Sequence, residues 1–288
     1  YHMAIKIPKK RGRPVGSKNK SKATEAPKVK LRSEAEVLAG LMRRFDILSM
    51  LTQGAIKGTI PSSVVTGAPG IGKSYTAKRA LSTSGAKHAV IGGGISGPGL
   101  FSLAWDHREP GQVILIDDGD GVFEDQDTLN LLKGMCDSTA DRVISWYKEA
   151  SWLKEAGIDR TFTYRGSIMF LSNLDFQGIV DNPSTNRKFK AHFEALMSRS
   201  MYLDMQLHQR REVAIWIKHL CTKGKLFQMH DVDLKVGDRI LTFLDRYHSD
   251  LRELSIRTLT AKLFPLAKTS PTGWEPLAEE LLLKPGSR

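Results

Sequence analysis

Apolar residues along this chain follow two rhythms, and the switch between them divides it. Behind Ser33-Glu34-Ala35-Glu36, a capping box in which Ser33 and Glu36 satisfy each other's free amides, Leu38, Leu41, Met42, Phe45 and Leu48 recur at helical spacing. They predict a helix with one packed face. A turn near Gly58 to Pro61 leads to Ser62-Ser63-Val64-Val65-Thr66, a β-type run, and Ser74 to Leu81 reads as the next helix. Short apolar runs follow at His88-Ala89-Val90-Ile91, Val113 to Ile116, Ser167 to Leu171 and Met201-Tyr202-Leu203, with helical patterns between most of them. Strands spaced in this way predict a parallel sheet with covering helices. After Met205 the strand signals stop, and Arg210 to Thr222, Gly237 to Tyr247 and Ser255 to Lys268 all read as helices. The pattern predicts an α/β domain over residues 31–206 and a small all-α domain over residues 207–288, with no internal repeat.

Composition changes this picture at one end only. With 41% of its 288 residues hydrophobic, the chain has the apolar content for a real core. Its longest apolar runs, such as Val113-Ile114-Leu115-Ile116, are strand-length and far too short to cross a bilayer, so no membrane partner is expected. No charged-then-apolar leader opens the sequence, and Tyr1-His2-Met3 reads as a cloning remnant before a native Met3. Cys136 and Cys221 make no disulfide framework and no metal cluster, and they fit buried apolar roles in a reduced cytoplasm. The charge is uneven: residues 1–30 hold ten basic side chains against Glu25 alone, which accounts for +9 of the net +12. A segment this basic with so little apolar content is expected to be a disordered arm, and attraction to polyanions belongs mainly to it.

Three short stretches carry candidate chemistry. Gly67-Ala68-Pro69-Gly70-Ile71-Gly72-Lys73-Ser74 is a complete phosphate-binding loop between a strand and a helix. Its glycines let backbone amides face the phosphates of ATP, Lys73 adds a point charge, and the Ser74 hydroxyl is placed to ligate Mg²⁺. Val113-Ile114-Leu115-Ile116-Asp117-Asp118 is a strand buried on both faces that ends in paired acids, at the sheet edge where α/β folds bind ligands. Asp117 would hold the Mg²⁺ through water, and Asp118 would polarise the attacking water as general base. The acids beyond, from Asp120 to Asp127, lack the terminal glutamate offset of a calcium loop. Ser167 to Asn173 is a further apolar strand with a polar end, where Asn173 holds the lytic water, or senses the γ-phosphate, or simply forms a turn.

In this order the elements resemble the AAA+ ATPase family over roughly residues 50–268: P-loop, paired acids, Asn173, an arginine before the last strand, then a helical lid. The resemblance implies a P-loop NTPase sheet followed by a lid, hydrolysis of ATP, and a homo-oligomeric ring, with a hexamer as the usual count. It makes Arg199 an arginine finger reaching the neighbouring subunit's γ-phosphate, and Arg257 a second sensor reaching its own; plain helix arginines are the alternative for both. The family more often has a glutamate where Asp118 stands, so hydrolysis is expected to be slow. The Gly92 to Gly99 run lies where such rings place a pore loop, with Ile95 near its tip, or is only a mobile connection. Val143 to Trp146 and Thr161 to Tyr164 are expected to pair as a hairpin, similar to one that some nucleic-acid motors insert there. The stretch from Asp117 to Ser200 is also similar to AAA+ ATPases carried by bacteriophages, which would place the protein in a host cell's cytoplasm.

Within the arm, Arg11-Gly12-Arg13-Pro14 flanked by Lys9 and Lys10 resembles an AT-hook. An extended Arg-Gly-Arg fits the narrow, strongly negative minor groove of A·T-rich DNA, and the lysines neutralise phosphates. A generic polybasic tail is the alternative. Together these features lead us to expect a DNA-associated AAA+ ATPase that remodels DNA or DNA-bound protein, in phage replication or DNA processing. The alternatives are a nucleotide-switched DNA-binding scaffold with little turnover, and a chaperone acting on a protein client. The histidines show no ligand spacing, and the tryptophans read as packing or lid residues.

Overall fold

In the computed structural model, residues 31–286 are described, apart from Glu124, Ala140, Glu149 and His208. The arm residues Lys9, Lys10, Arg11, Gly12, Arg13 and Pro14 therefore lie outside the described residues. Helix α1 (Glu34–Ile56) begins at the capping box: Ser33 Oγ accepts from the Glu36 amide at 3.2 Å, and Glu36 Oε2 accepts from the Ser33 amide at 2.7 Å. Its buried stripe runs through Val37, Leu41, Leu48, Leu51 and Ala55, with Leu38 and Phe45 half-buried. Met42, expected on that stripe, is 50% exposed, because it sits one position round the helix from Leu41.

Strand β1 (Ser62–Gly67) leads through the glycine loop into α2 (Lys73–Ser84), then β2 (His88–Gly92), α3 (Gly97–Asp106), β3 (Val113–Asp117) and α4 (Gln126–Met135). A short antiparallel pair follows, β4 (Arg142–Ser145) with β5 (Thr161–Tyr164), carrying α5 (Ser151–Glu155) between them. The expected hairpin is present, but Arg142 replaces Trp146 in its first strand. Trp146 instead packs against Phe101 and Trp152. The chain returns through β6 (Ser167–Ser172), α6 (Phe176–Asp181), α7 (Arg187–Arg199) and β7 (Met201–Met205).

The main sheet is wholly parallel and ordered β2-β3-β6-β1-β7. Central strands β1, β3 and β6 are buried along their length, and alternate residues feed opposite layers. Val64, Ile114, Ile116, Ile168 and Phe170 pack against α3, α4, α7 and the hairpin. Val65, Val113, Leu115, Met169 and Leu171 pack against α1 and α2. This three-layer arrangement, a parallel sheet between helices followed by a run of helices, is the α/β part and the all-α part that the pattern of residues predicts.

The helices after β7 are α8 (Arg210–Thr222), α9 (Leu226–Met229), α10 (Leu234–Tyr247), α11 (Ile256–Thr258), α12 (Phe264–Thr269) and α13 (Trp274–Leu282). They build their own core around Ile217, Ile240, Leu259, Phe264 and Trp274. Residues read as one helix from Ser255 to Lys268 are interrupted by a wide π turn at Leu259–Leu263. Pro265 explains it: a proline cannot donate to the preceding turn, and its ring would clash with the carbonyl four residues back. Among the described residues no helix is long and apolar enough to cross a membrane.

Candidate functional site

The site is built on strand ends. Register pairs Thr66 with Ser172 and Asp117 with Leu171, so the carboxyl ends of β1, β3 and β6 lie in one row. The glycine loop turns over the first of them. Gly70 and Gly72 hold φ of +66° and +111°, which L side chains rarely adopt, and a Cβ on Gly70 would meet Ser255 Cβ at 2.7 Å. The loop then opens α2 at Lys73, so its amides and the helix N-terminus face the same space.

Lys73 is buried, and its Nζ donates to Gly67 O at 2.7 Å, Ala68 O at 2.9 Å and Asn173 Oδ1 at 3.0 Å. Burial lowers its ammonium pKa to about 8, against the opposing pull of Asp118, Asp117 and Asp120. Asn173 Nδ2 in turn donates to Asp118 Oδ1 at 2.6 Å, so lysine, amide and carboxylate form one polar chain. Asp118 stands in the left-handed region at φ +55°, its amide donating to Leu171 O at 3.1 Å. That conformation is uncommon outside glycine, asparagine and aspartate, and it turns the chain out of the strand direction at this carboxylate.

Asp117 is buried at the end of β3, and its Oδ1 accepts from Ser74 Oγ at 2.6 Å. A hydroxyl and a carboxylate set side by side are hard oxygen donors, the set that Mg²⁺ takes beside a nucleotide phosphate. The residues present thus fit that ion. Asp120 lies behind, its Oδ1 accepting from Ser172 Oγ at 2.6 Å, with burial raising its pKa from the ordinary value.

Gly72, Lys73, Ser74, Asp118, Asn173 and Arg257 line a polar cleft of about 240 Å³. It runs on, through shared walls at Gly72, Tyr75, Ile256 and Thr260, into an apolar cavity of about 510 Å³. Phe45 and Trp216 wall that cavity, stacked at 5.0 Å and 13°. Trp216 also donates its indole N–H to Ile71 O at 2.9 Å, tying α8 to the glycine loop. Ile71 is itself buried beneath the loop, while Ala68 and Pro69 complete its bend. One half suits phosphates and the other an apolar ring.

Arg199 is not brought to this cleft. It ends α7, its carbonyl accepting from Ser62 Oγ at 3.1 Å, so it sits at the amino end of β1 while the P-loop follows the carboxyl end. At ~3.3 Å per residue the strand separates them by roughly 16 Å. Its side chain is exposed, with Nη1 donating to Ala195 O at 3.2 Å. Ile95, expected near a loop tip, packs against the core between sheet and hairpin.

Over 240 residues the chain is 35% identical to a protein of Enterobacteria phage T4, described as an uncharacterized 36.7 kDa protein in the nrdC-mobD intergenic region. The match covers 82% of this chain and 72% of that protein. The chain belongs to the family of this phage protein. No protein-family model matches the chain. Among solved structures, three variants of RuvB from Thermotoga maritima superpose with TM-scores of 0.48, 0.47 and 0.47 at 14%, 14% and 12% identity. They cover 84% to 86% of this chain and 68% to 72% of theirs. At that distance the fold assignment stands on strand order and loop geometry, which this member of the phage family displays directly.

Sequence reasoning missed Lys78, Ser172, Phe45 and the hydrogen bond of Trp216. Only Lys78 carried a signal, since it follows Ser74 by one helical turn and shares its face.

Proposed function

We propose that this chain is an AAA+ ATPase that binds ATP with Mg²⁺ in the cleft, hydrolyses it within a homo-oligomeric ring, and acts on DNA or DNA-bound protein. The observation that carries the reading is the polar chain Lys73–Asn173–Asp118 set beside the Ser74–Asp117 pair at three adjacent strand ends. In this reading the loop amides from Gly67 to Ser74 and the Lys73 ammonium bind the β- and γ-phosphates, and the base lies against Phe45 and Trp216. Ser74 and Asp117 would hold Mg²⁺, which neutralises phosphate charge when bound. Asp118 accepts a proton from a water as its oxygen bonds to the γ-phosphorus, the bond to the β–γ bridging oxygen breaks, and ADP leaves. Asn173 orients that water. Arg257 faces the γ-phosphate from the same subunit, and Arg199 faces the one held by a neighbour. The arm, through Lys9, Lys10, Arg11, Gly12, Arg13 and Pro14, would lodge in the minor groove of A·T-rich DNA.

The test is steady-state ATP hydrolysis by the full chain, with and without A·T-rich duplex. Lys73→Ala should abolish nucleotide binding, and Asp118→Asn should keep binding while turnover falls by about 10²-fold or more. Unchanged turnover in both variants would sink the assignment.

A second reading is a nucleotide-switched DNA-binding scaffold. It is favoured by Asp118 itself, one methylene shorter than glutamate and already engaged by Asn173. Turnover near zero, with assembly intact in a non-hydrolysable analogue, would select it.

A further inference from the structure

Asp117 is engaged on both oxygens. Oδ1 accepts from Ser74 Oγ at 2.6 Å, and Oδ2 pairs with Lys78 Nζ at 2.6 Å. Ser74 and Lys78 are four residues apart on α2, so they stand one above the other on a single face of the helix. A helical side chain leans toward the N-terminus, which carries the Lys78 ammonium back up to the end of β3. The two partners differ in mobility. Asp117 is fixed at the sheet's edge with a side chain 9% exposed, whereas the Lys78 side chain is 45% exposed on a flexible stem. The acid cannot follow the lysine out; the lysine can leave the acid.

Charge gives this contact a purpose. Asp117, Asp118 and Asp120 all pull on Lys73, the cation of the glycine loop. Lys73 is shared among three carboxylates, so without Lys78 the buried Asp117 would be left with one hydroxyl donor and part of one counter-charge. Once a divalent ion lies against Ser74 and Asp117, that need disappears, and an ammonium at 2.6 Å becomes a like-charge neighbour.

We propose that Lys78 is the resident counter-ion of Asp117, displaced when a divalent cation enters with nucleotide, and that it thereby sets the metal affinity of the site. This rests on the reading of Asp117 as a metal holder. Lys78 is in this sense a positioning residue, since it acts on the site through Asp117.

The experiment is a titration of Mn²⁺ into the full chain saturated with ADP, with free Mn²⁺ read by electron paramagnetic resonance. Removing the competing charge in Lys78→Met should lower the Mn²⁺ dissociation constant by about two- to fivefold, the range set by a half-exposed ion pair. Lys78→Arg keeps the charge and should stay near the parent value. An unchanged or weaker Mn²⁺ affinity in Lys78→Met overturns the proposal, the second outcome because it would make Lys78 a support for the metal. Asp117→Asn is measured alongside: if it binds Mn²⁺ as tightly as the parent, the assignment of Asp117 has failed rather than that of Lys78. Circular dichroism melts of each variant confirm that folded protein is compared.

Discussion

Lys73 carries opposing pressures within one side chain. Burial favours its neutral amine, three carboxylates favour the ammonium, and two loop carbonyls and Asn173 accept hydrogen bonds from it. With its pKa brought down to about 8, the sign of the pH effect follows directly. Below that pH the empty site already holds the cation that phosphates need; above it, binding must take up a proton first. Affinity for ADP without Mg²⁺ should therefore fall between pH 7 and 9, by at most about tenfold per pH unit. Calorimetry in buffers of different ionisation enthalpy should detect the proton taken up. Lys73→Arg, which stays charged, should give a flat profile, and a flat profile in the parent would refute this account. For folding the sign is the same as for any amine with a lowered pKa: the cost is full below about 8 and is relieved as pH climbs toward the unfolded value of 10.5.

At the scale of elements, two side chains fasten parts that the sheet alone would not. Arg142 opens β4 and is 3% exposed, held mainly by backbone carbonyls. Its guanidinium donates to Tyr164 O at 3.2 Å, Pro61 O at 3.3 Å, Met135 O at 2.6 Å and Gly166 O at 2.5 Å. One fork thus joins the hairpin, the end of α4 and the entry to β1. Arg142→Met should cost about 3–5 kcal/mol in denaturant unfolding, since buried carbonyls lose charged donors together. Arg142→Lys should recover only part, because an ammonium cannot span the four acceptors. Trp216 is the second fastener, through its bond to Ile71 O. Trp216→Leu should weaken ADP binding by about tenfold while Lys73 and Ser74 remain in place, and a fluorescent-nucleotide titration would show it. These two residues also mark how far the sequence could be read. The P-loop and the acid pair were legible because each is a contiguous string whose strand ends with it. Arg142 and Trp216 were not, since their partners lie between 7 and 145 residues away and no local pattern names them. Asn173 sits between these cases: its place at a strand end was visible, but its bridge from Lys73 to Asp118 required the register of β1, β3 and β6.

For the whole molecule, the proposed ring gives the position of Arg199 its meaning. It stands at the amino end of the sheet beside Ser62, a strand's length from the P-loop of its own chain, and its side chain is exposed. An arginine so placed contributes to hydrolysis only if another copy brings a phosphate to it. Two consequences can be measured. If, as proposed, each active site takes Arg199 from a neighbour, specific activity of the parent chain should rise with protein concentration. Lys73→Ala has an intact Arg199 but no working loop, while Arg199→Ala has the loop but no arginine. Each alone should be inactive. Mixed in equal amounts, they form interfaces in which Lys73→Ala lends its arginine to the loop of Arg199→Ala, and random assembly should restore about a quarter of parental activity. A mixture no more active than its two components would place Arg199 outside the reaction. It would then be a surface residue at a helix C-terminus, where a cation is stabilised by the dipole alone.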